Sequence, residues 1–578
     1  MIHVWLNKFR LNLANNDSLI QFSILGVLAG LSTALVSLGF RFLIEWPPTL
    51  WLPNRDSEGY ESLPVWAHFA LPLGGAIIIG LVLRNFSKEN LRTGVPHVIT
   101  HLHAHDGHMP MKNALIQFFG GAFAIITGQS AGREGPAIHL GAAASSFLGQ
   151  KLKLPNNSIR ILVGCGTAAA IAASFNTPIA GVIIAMEVVM MEYSIAGFTP
   201  VILSALTATT VTRAVYGSQA TFIVPTAQMA SLWELPYIAL LGLLIGGCAA
   251  MFIMVLKMGI SLSERPILQR MALAGLVTGC CALIAPQIMG TGYDSVNAML
   301  SGDIALVVMA AMIGTKLIAS AFSCGLGMPI GIIGPCLYIG ACIGGVMAAM
   351  GSSIFPELAT GGSFYVMIGM GAMMGAVLNA PLAALMTVLE LTQNPTIIFP
   401  AMLAISIASI TNSEIFKQRS AHQTVIQHLK LFLPTDPVSL GLQRSSVATL
   451  MQRNIHMTKG SVSSEDAKIL LTKPHHAYVI TADDGLDMRL IYRADLGEKL
   501  ENAINENPDG AISLLDICTV SHSIIKIHIQ ATLREALYSM NEHDAEAVFV
   551  TGYISGSFPD YGIVTRKDIE RYNNTPQK

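Results

Sequence analysis

Long runs without a charged residue restrict the fold of this chain more than any other feature. No Asp, Glu, Lys or Arg occurs from Leu317 to Pro356 or from Leu358 to Leu389. Similar runs occupy 20–40, 66–83, 236–256 and 271–293. A helix of about 20 apolar residues crosses the roughly 30 Å hydrocarbon core of a bilayer. The runs therefore predict an all-α, multi-pass membrane domain in contact with the lipid bilayer.

Composition agrees with this prediction and excludes other classes. Hydrophobic residues make up 52% of the chain and charged residues 12%, a balance outside the soluble globular range. The formal net charge of -2 gives no basic surface for nucleic acid. We expect no nucleic-acid partner.

Charged residues become frequent again after Glu414, which separates two modules. The predicted membrane domain covers 1–425, with repeats at about 20–220 and 235–425. A linker follows at 426–443, and two α/β domains follow at 444–500 and 508–575. Basic residues precede the first span and the tail is a large soluble region, so we expect both termini to be cytoplasmic.

The two halves of the membrane domain contain matching motifs. The segments 132–136 and 331–335 both read Gly-x-x-Gly-Pro, with their prolines 199 residues apart. The segments 175–180 and 378–383 share Asn-x-Pro, with prolines 203 residues apart, and a glutamate follows nine residues later in each, Glu187 and Glu390. Repeats with interrupted helices are typical of transporters that bind substrate near the midplane. We interpret both glutamates as structural, hydrogen-bonded carboxylates.

The Gly-Pro motifs predict helix starts inside the membrane. Proline suits the first turn of a helix, and glycine lets the backbone turn and approach a ligand. The N–H groups of such a start attract an anion. A third candidate is 93–96, where Thr93 adds a hydroxyl. The alternative is that these motifs only kink packed helices.

The same motifs carry a family resemblance. The segment 132–136 is identical to GREGP, a signature of the CLC chloride channels and transporters; 92–96 resembles their GSGIP and 331–335 their GxFxP. The resemblance implies two inverted repeats with broken intramembrane helices, chloride and similar anions as substrates, and a homodimer with one pathway per subunit. It also implies a location in the plasma (inner) membrane and a channel or transporter rather than an enzyme.

The resemblance also assigns the anion path. Glu134 matches the family's gating glutamate, whose carboxylate occupies the place of a chloride until it is protonated or displaced; a buried ion pair with Arg133 is the alternative. The predicted chloride-binding residues lie at the three helix starts, together with His422, which aligns with the family's pore-facing tyrosine: Thr93, Gly94, Arg133, Gly135, Ile332, Ile333 and His422.

Val188 departs from the pattern of many family exchangers, which have a second glutamate there to pass protons from the inside. A valine cannot carry a proton. We therefore interpret Val188 as a break in the proton path, which favours a passive, voltage- or pH-gated chloride channel. Chloride/proton exchange is the alternative, with His422 or water as the inner route.

Five histidines between His97 and His108 suggest a remote alternative, a metal ion transporter. His97, His101, His105 and His108 would share one helical face, a spacing that can bind a metal. Few acidic residues accompany them, so we favour a solvated or pH-responsive stretch and expect no metal site.

The tail resembles a pair of CBS domains. Its second half reads as a helix from Thr532, a strand at 547–550 and a strand entering a helix at 562–569; a poorer copy begins near Val447. Thr565 and Asp568 match positions that bind the ribose of adenine nucleotides in some CBS proteins. Nucleotide binding and a purely structural pair both remain open, and no cofactor is required.

Overall fold

A computed structural model describes residues 9–10, 13, 18–53, 57–193, 195–218, 222, 224, 229, 231–354, 361–429, 437–472, 477–481, 488–506, 510–517, 522–552 and 561–574. The chain forms two compact units. One comprises Phe22–Lys151 and Ile159–Leu433, and the other comprises Met1–Gln21, Leu152–Ser158 and Pro434–Lys578.

The first unit is helical, and its described helices form two sets of eight followed by a final short helix. The first set is α1 (Leu19–Glu45), α2 (Val65–Leu83), α3 (Gly94–Ala104), α4 (Met111–Ile126), α5 (Glu134–Lys151), α6 (Asn156–Phe175), α7 (Pro178–Ile184) and α8 (Ile195–Tyr216). The second set is α9 (Leu235–Ile260), α10 (Ile267–Ile284), α11 (Tyr293–Ser301), α12 (Leu306–Gly325), α13 (Ile333–Ile354), α14 (Gly362–Leu378), α15 (Pro381–Thr392) and α16 (Ile398–Ile410). The final helix is α17 (Ala421–His428).

Helix length and apolar composition agree with a membrane domain. Among the described residues, nine helices are long and apolar enough to cross a bilayer, and four shorter apolar helices accompany them. The shorter helices include α7, α14 and α15. Short helices of this kind belong in the interior of a membrane protein, where their ends contact protein rather than lipid.

Close glycine contacts occur in both halves of the first unit. A Cβ on Gly141 would lie 2.4 Å from the Gly166 carbonyl oxygen, where α5 meets α6. A Cβ on Gly340 would lie 2.1 Å from the Gly369 carbonyl oxygen, where α13 meets α14. Small residues let membrane helices approach closely. The same close packing therefore occurs at equivalent places in both halves.

Two carboxylates join the repeats reciprocally. Glu187 accepts the N–H of Ala383 at the start of α15 (2.6 Å), and Glu390 accepts the N–H of Ala180 at the start of α7 (2.7 Å). A carboxylate at a helix start satisfies N–H groups that lack a partner within the helix. The structural role predicted for both glutamates is confirmed.

The second unit contains an α/β fold with two similar halves. Its elements are α18 (Pro437–Gln443), β1 (Ile455–Lys459), β2 (Ser461–Ser463), α19 (Ser464–Thr472), β3 (Ala477–Thr481), β4 (Met488–Tyr492), α20 (Arg493–Glu506), β5 (Ala511–Ser513), α21 (Leu514–Ile517), β6 (His522–His528), α22 (Leu533–Glu542), β7 (Ala547–Thr551), β8 (Tyr561–Thr565) and α23 (Arg566–Asn574). The described strands of the larger sheet have the order β1-β3-β4-β6-β7-β8.

Each half pairs its strands in the same way. Strand β1 is parallel to β3 and β3 antiparallel to β4, and likewise β6 is parallel to β7 and β7 antiparallel to β8. The predicted fold class, a helical membrane domain with a paired α/β tail, is confirmed. The domain boundaries stay predictions, and 430–436 within the predicted linker lie outside the described residues.

Candidate functional site

Three helix starts meet at one cavity in the first unit. Helices α3, α5 and α13 begin at Gly94, Glu134 and Ile333, so the helix starts predicted from the Gly-Pro motifs are confirmed. The cavity has a volume of about 500 Å³. The predicted site residues that line it are Thr93, Gly94, Gly135, Ile332, Ile333 and His422.

The two Gly-Pro motifs contact each other directly. Gly132 and Gly331 exchange backbone hydrogen bonds of 2.9 and 3.0 Å, forming an isolated antiparallel bridge. A Cβ on Gly135 would lie 2.8 Å from the Cα of Gly331. Only glycine allows the backbones to approach this closely. The motif thus places two helix starts from different repeats side by side.

The Glu134 carboxylate lies at the start of the opposite repeat's helix. It is fully buried, and it accepts the N–H of Gly334 in the first turn of α13 (3.1 Å) and the hydroxyl of Tyr293. The N-terminus of a helix favours a negative charge. The side chain therefore occupies a position suited to an anion, and its role as the gate stays a prediction.

The side chain of Arg133 points elsewhere. Its guanidinium pairs with Glu45 (2.9 Å) and donates to the Ser174 carbonyl (3.1 Å), and it lies over the Tyr293 ring. The described lining of the cavity does not include Arg133. The contacts give the alternative ion pair with Glu134 no support. A role for Arg133 in chloride binding stays a prediction and would rest on its backbone.

The start of α3 is partly occupied by side chains. Gly94 has a φ of +77°, and its N–H donates to Gln117 (2.8 Å) and to His139 Nδ1 (3.2 Å). Thr93 makes no capping hydrogen bond to α3. At this helix start the Gly94 N–H is already engaged, and chloride binding by Thr93 and Gly94 stays a prediction.

His422 faces the cavity, as its alignment predicted. It lies in the first turn of α17 and is 5% exposed. Its Nε2 is buried without a hydrogen-bond partner among the residues that the structure describes. Chloride binding by His422 stays a prediction.

Two site residues were not predicted from the sequence. Tyr293 begins α11 and reaches Glu134 through its hydroxyl. Lys316 is fully buried and donates to the carbonyls of Ile288 (2.9 Å) and Gly290 (3.4 Å), in the segment that leads to Tyr293. Lys316 could have been predicted, because a lone lysine inside an apolar helix such as α12 indicates a functional residue.

Val188 is buried in a π-helical segment, Ala185–Met190, that follows α7. The carboxylate of its neighbour Glu187 is held by the start of α15. Both oxygens of Glu187 are thus engaged at the start of α15, and the break in the proton path at Val188 stays a prediction.

The histidine cluster is arranged differently from the single predicted face. The helix ends at Ala104, and Asp106 and Gly107 have positive φ angles that turn the chain. The prediction that His108 shares the face is therefore wrong; instead its carbonyl lies 2.8 Å from His101 Nδ1. Within the described part of the chain, no group of three or more His, Cys, Asp or Glu is placed to hold a metal ion.

In the second unit, Asp568 has several intramolecular contacts. Its Oδ2 accepts the N–H of Thr565 (3.1 Å), the Thr565 hydroxyl (2.7 Å) and the Gln452 amide (3.0 Å). The Asp568 N–H in turn donates to the Thr565 hydroxyl oxygen (3.2 Å), so that the two residues form a capping box at the start of α23. A bound ribose would have to replace some of these hydrogen bonds.

Comparisons with known proteins identify a family and several relatives of this chain. A family model described as "Voltage gated chloride channel" matches residues 75–413. The chain is 29% identical over 390 residues to a putative chloride channel protein ClcB-like of Ralstonia nicotianae, covering 65% of this chain and 90% of that protein. It is 27% identical over 429 residues to the H(+)/Cl(-) exchange transporter ClcA of Vibrio campbellii, covering 70% and 89%.

Solved structures share the fold. A slow cyanobacterial Cl-/H+ antiporter matches with a TM-score of 0.62 at 20% identity, covering 71% of this chain and 97% of that one. A eukaryotic CLC transporter matches with a TM-score of 0.56 at 20% identity and covers 98% of both chains. The second match therefore extends over the α/β tail.

Proposed function

The chain belongs to the voltage-gated chloride channel (CLC) family and transports anions, and on that premise we propose that it exchanges chloride for protons with Glu134 as the gate. Relatives named H(+)/Cl(-) exchange transporter ClcA support exchange over the passive conduction that Val188 predicts. Metal transport, the remote alternative, has no support from this family.

The observation that carries the proposal is the position of the Glu134 carboxylate. It lies against the N–H of Gly334 at a helix start, beside a cavity lined by Thr93 and Gly135. When ionised, the carboxylate competes with chloride for the positive end of the helix. When protonated, it loses that attraction, withdraws and carries one proton. Chloride and a proton therefore use the same place alternately.

Passive conduction is the second candidate, and Val188 is the observation that favours it. A relative named voltage-gated ClC-type chloride channel ClcB, from Escherichia coli, is 28% identical over 421 residues. In this mechanism Glu134 would gate the path without a proton route to the other side.

Proton movement driven by chloride separates the two candidates. Purified protein in liposomes receives a chloride gradient and no proton gradient, while an ionophore clamps the voltage and external pH is recorded. We expect protons to move uphill, and Glu134→Gln to move chloride without them. Chloride flux without protons in the parent would favour a channel, and no anion flux would contradict both candidates.

We also infer the assembly and the identity of the tail. A homodimer with one pathway per subunit is proposed from the family, with both termini cytoplasmic and the protein in the inner membrane. The repeated strand order of the second unit supports a CBS pair. Adenine nucleotide at Thr565 and Asp568 is a further proposal.

A further inference from the structure

Four histidine rings form a row through the first unit. The rings of His139 and His97 are 4.9 Å apart, those of His97 and His101 are 4.3 Å apart, and those of His101 and His105 are 4.6 Å apart. His139 is fully buried, His97 is 5% exposed, His101 is half-buried and His105 is exposed. The histidine row, defined as these four residues, thus connects the interior of the protein with its surface.

The hydrogen bonds of the row fix the tautomer of one ring, that of His101. His139 Nδ1 lies 3.2 Å from the Gly94 nitrogen and 3.4 Å from Gln117 Oε1, so it can accept from the first or donate to the second. His101 Nδ1 donates to the carbonyl of His108, so in the neutral ring Nε2 is an acceptor. His97 lies between these two rings. The neutral His101 ring can therefore accept a proton at Nε2.

Two buried ring nitrogens of the row make no hydrogen bond to the residues that the structure describes. His97 Nδ1 and His139 Nε2 are buried without a hydrogen-bond partner among the described residues. A buried polar atom without a partner is costly and requires an explanation. The His97 ring lines the adjoining cavity, whose volume of about 500 Å³ accommodates several water molecules of roughly 30 Å³ each.

The cavity links the row to the gate. His97, His101 and His105 line it, and so does Gly135, the residue after Glu134. Water in this cavity can carry a proton between His97 and the Glu134 region once the carboxylate swings out from the start of α13. Other ionisable side chains face the same space: Lys88, Arg92, Glu264, Arg265, Arg270, His422 and His428.

The positive charges around the cavity suit a relay. They oppose a lasting positive charge on the rings, so that a proton passes along the row and does not remain there. Helix α3 also contacts the segment with Val188, since His103 Nε2 lies 3.1 Å from the Val189 carbonyl. The row therefore runs beside the place where the family resemblance implies an inner proton carrier.

We propose that the histidine row is the inner proton path of this transporter and bypasses Val188. A proton enters at His105 and is taken up and released again by His101 at Nε2, while Nδ1 stays bonded to the His108 carbonyl. It then passes to His97 and crosses the cavity by water to Glu134. His139 holds the Gly94 N–H at the end of the row and exchanges protons with His97. The inference rests on the exchange proposed above.

Proton flux relative to chloride flux tests the row. The double variant His97→Gln, His101→Gln keeps polar side chains but removes both imidazoles, so proton movement per chloride should fall by about tenfold or more. Chloride flux itself should continue and shows that the variant is folded. The matched control is His103→Gln, also in α3 and buried, whose ring faces Val189 and not the cavity. Its ratio of proton flux to chloride flux should equal that of the parent.

The possible outcomes separate the two proposals. A parent that moves chloride without protons overturns the exchange and the row with it. If the parent exchanges chloride for protons and the double variant does so with the same proton-to-chloride ratio, only the proposal for the histidine row is overturned. Should the double variant carry no chloride, His105→Gln at the exposed end decides: reduced coupling supports the row, and unchanged coupling contradicts it. Restored coupling of His101→Ala by added imidazole would give independent support.

Discussion

Replacing Tyr293 with Phe removes one hydroxyl from the Glu134 site and leaves the aromatic ring in place. The hydroxyl donates to the Glu134 carboxylate, whereas the ring packs against Phe175 and Phe222 and under Arg133. The variant therefore keeps the packing of the ring. It loses one hydrogen bond to the Glu134 carboxylate where that group lies at the start of α13.

The size of the effect follows from that bond. A hydrogen bond to a charged group contributes about 1.5–3 kcal/mol. Since about 1.4 kcal/mol is a factor of ten, the equilibrium should shift roughly ten- to a hundredfold toward the withdrawn carboxylate. If release of the Glu134 carboxylate from the start of α13 limits transport, the chloride flux should increase by up to that factor. The increase should be largest at a pH where Glu134 is ionised and smaller under acid conditions.

Chloride efflux from liposomes, followed with an ion-selective electrode at neutral and acid pH, measures this effect. Tyr365→Phe is the matched control, because Tyr365 also donates to a buried carboxylate, Glu234 (2.6 Å), but does not line the cavity in the described structure. Its flux should equal that of the parent. Suppose that Tyr293→Phe, the control and the parent all show equal flux at both pH values. That result would refute the idea that the Tyr293 hydroxyl holds the Glu134 carboxylate at the start of α13.

Two further predictions concern the packing of the repeats and the tail. Gly135→Ala would place a Cβ 2.8 Å from the Cα of Gly331, so we expect a loss of about 1–3 kcal/mol of stability and of transport, measured by thermal unfolding in detergent. Gly314→Ala, with no neighbour within 4 Å, should unfold like the parent, and equal unfolding temperatures for both variants would contradict the close approach. In the tail, we expect the full chain to bind ATP in calorimetry and Asp568→Ala, which also loses its bonds to Thr565, to bind it at least about tenfold more weakly. Equal binding by both would show that Asp568 does not contact the ribose.

The predictable parts of the site are those encoded over a few residues. Gly94, Glu134 and Ile333 begin helices because glycine and proline act on the local backbone, and this could be predicted from spacing alone. The reciprocal Glu187 and Glu390 bonds also follow from a repeat that is visible in the sequence.

The features that the sequence did not predict depend on contacts between residues far apart in the chain, or on where one helix ends. Tyr293 lies 159 residues from Glu134 in the chain, and no local pattern indicates that they meet. The face of the histidine cluster was predicted one turn too long, because Asp106 takes a φ of 52° and ends the helix before His108. His139 joined the row only through the packing of α5 on α3.

The pH dependence of anion flux in Glu134→Gln tests the central claim most directly. In the parent, flux should rise as the pH falls, because protonation of Glu134 removes the carboxylate that competes with chloride at the start of α13. In the variant, a neutral amide stands in its place, so flux should be high and nearly independent of pH. A variant whose flux follows the parent's pH profile would contradict the assignment of Glu134 as the gate.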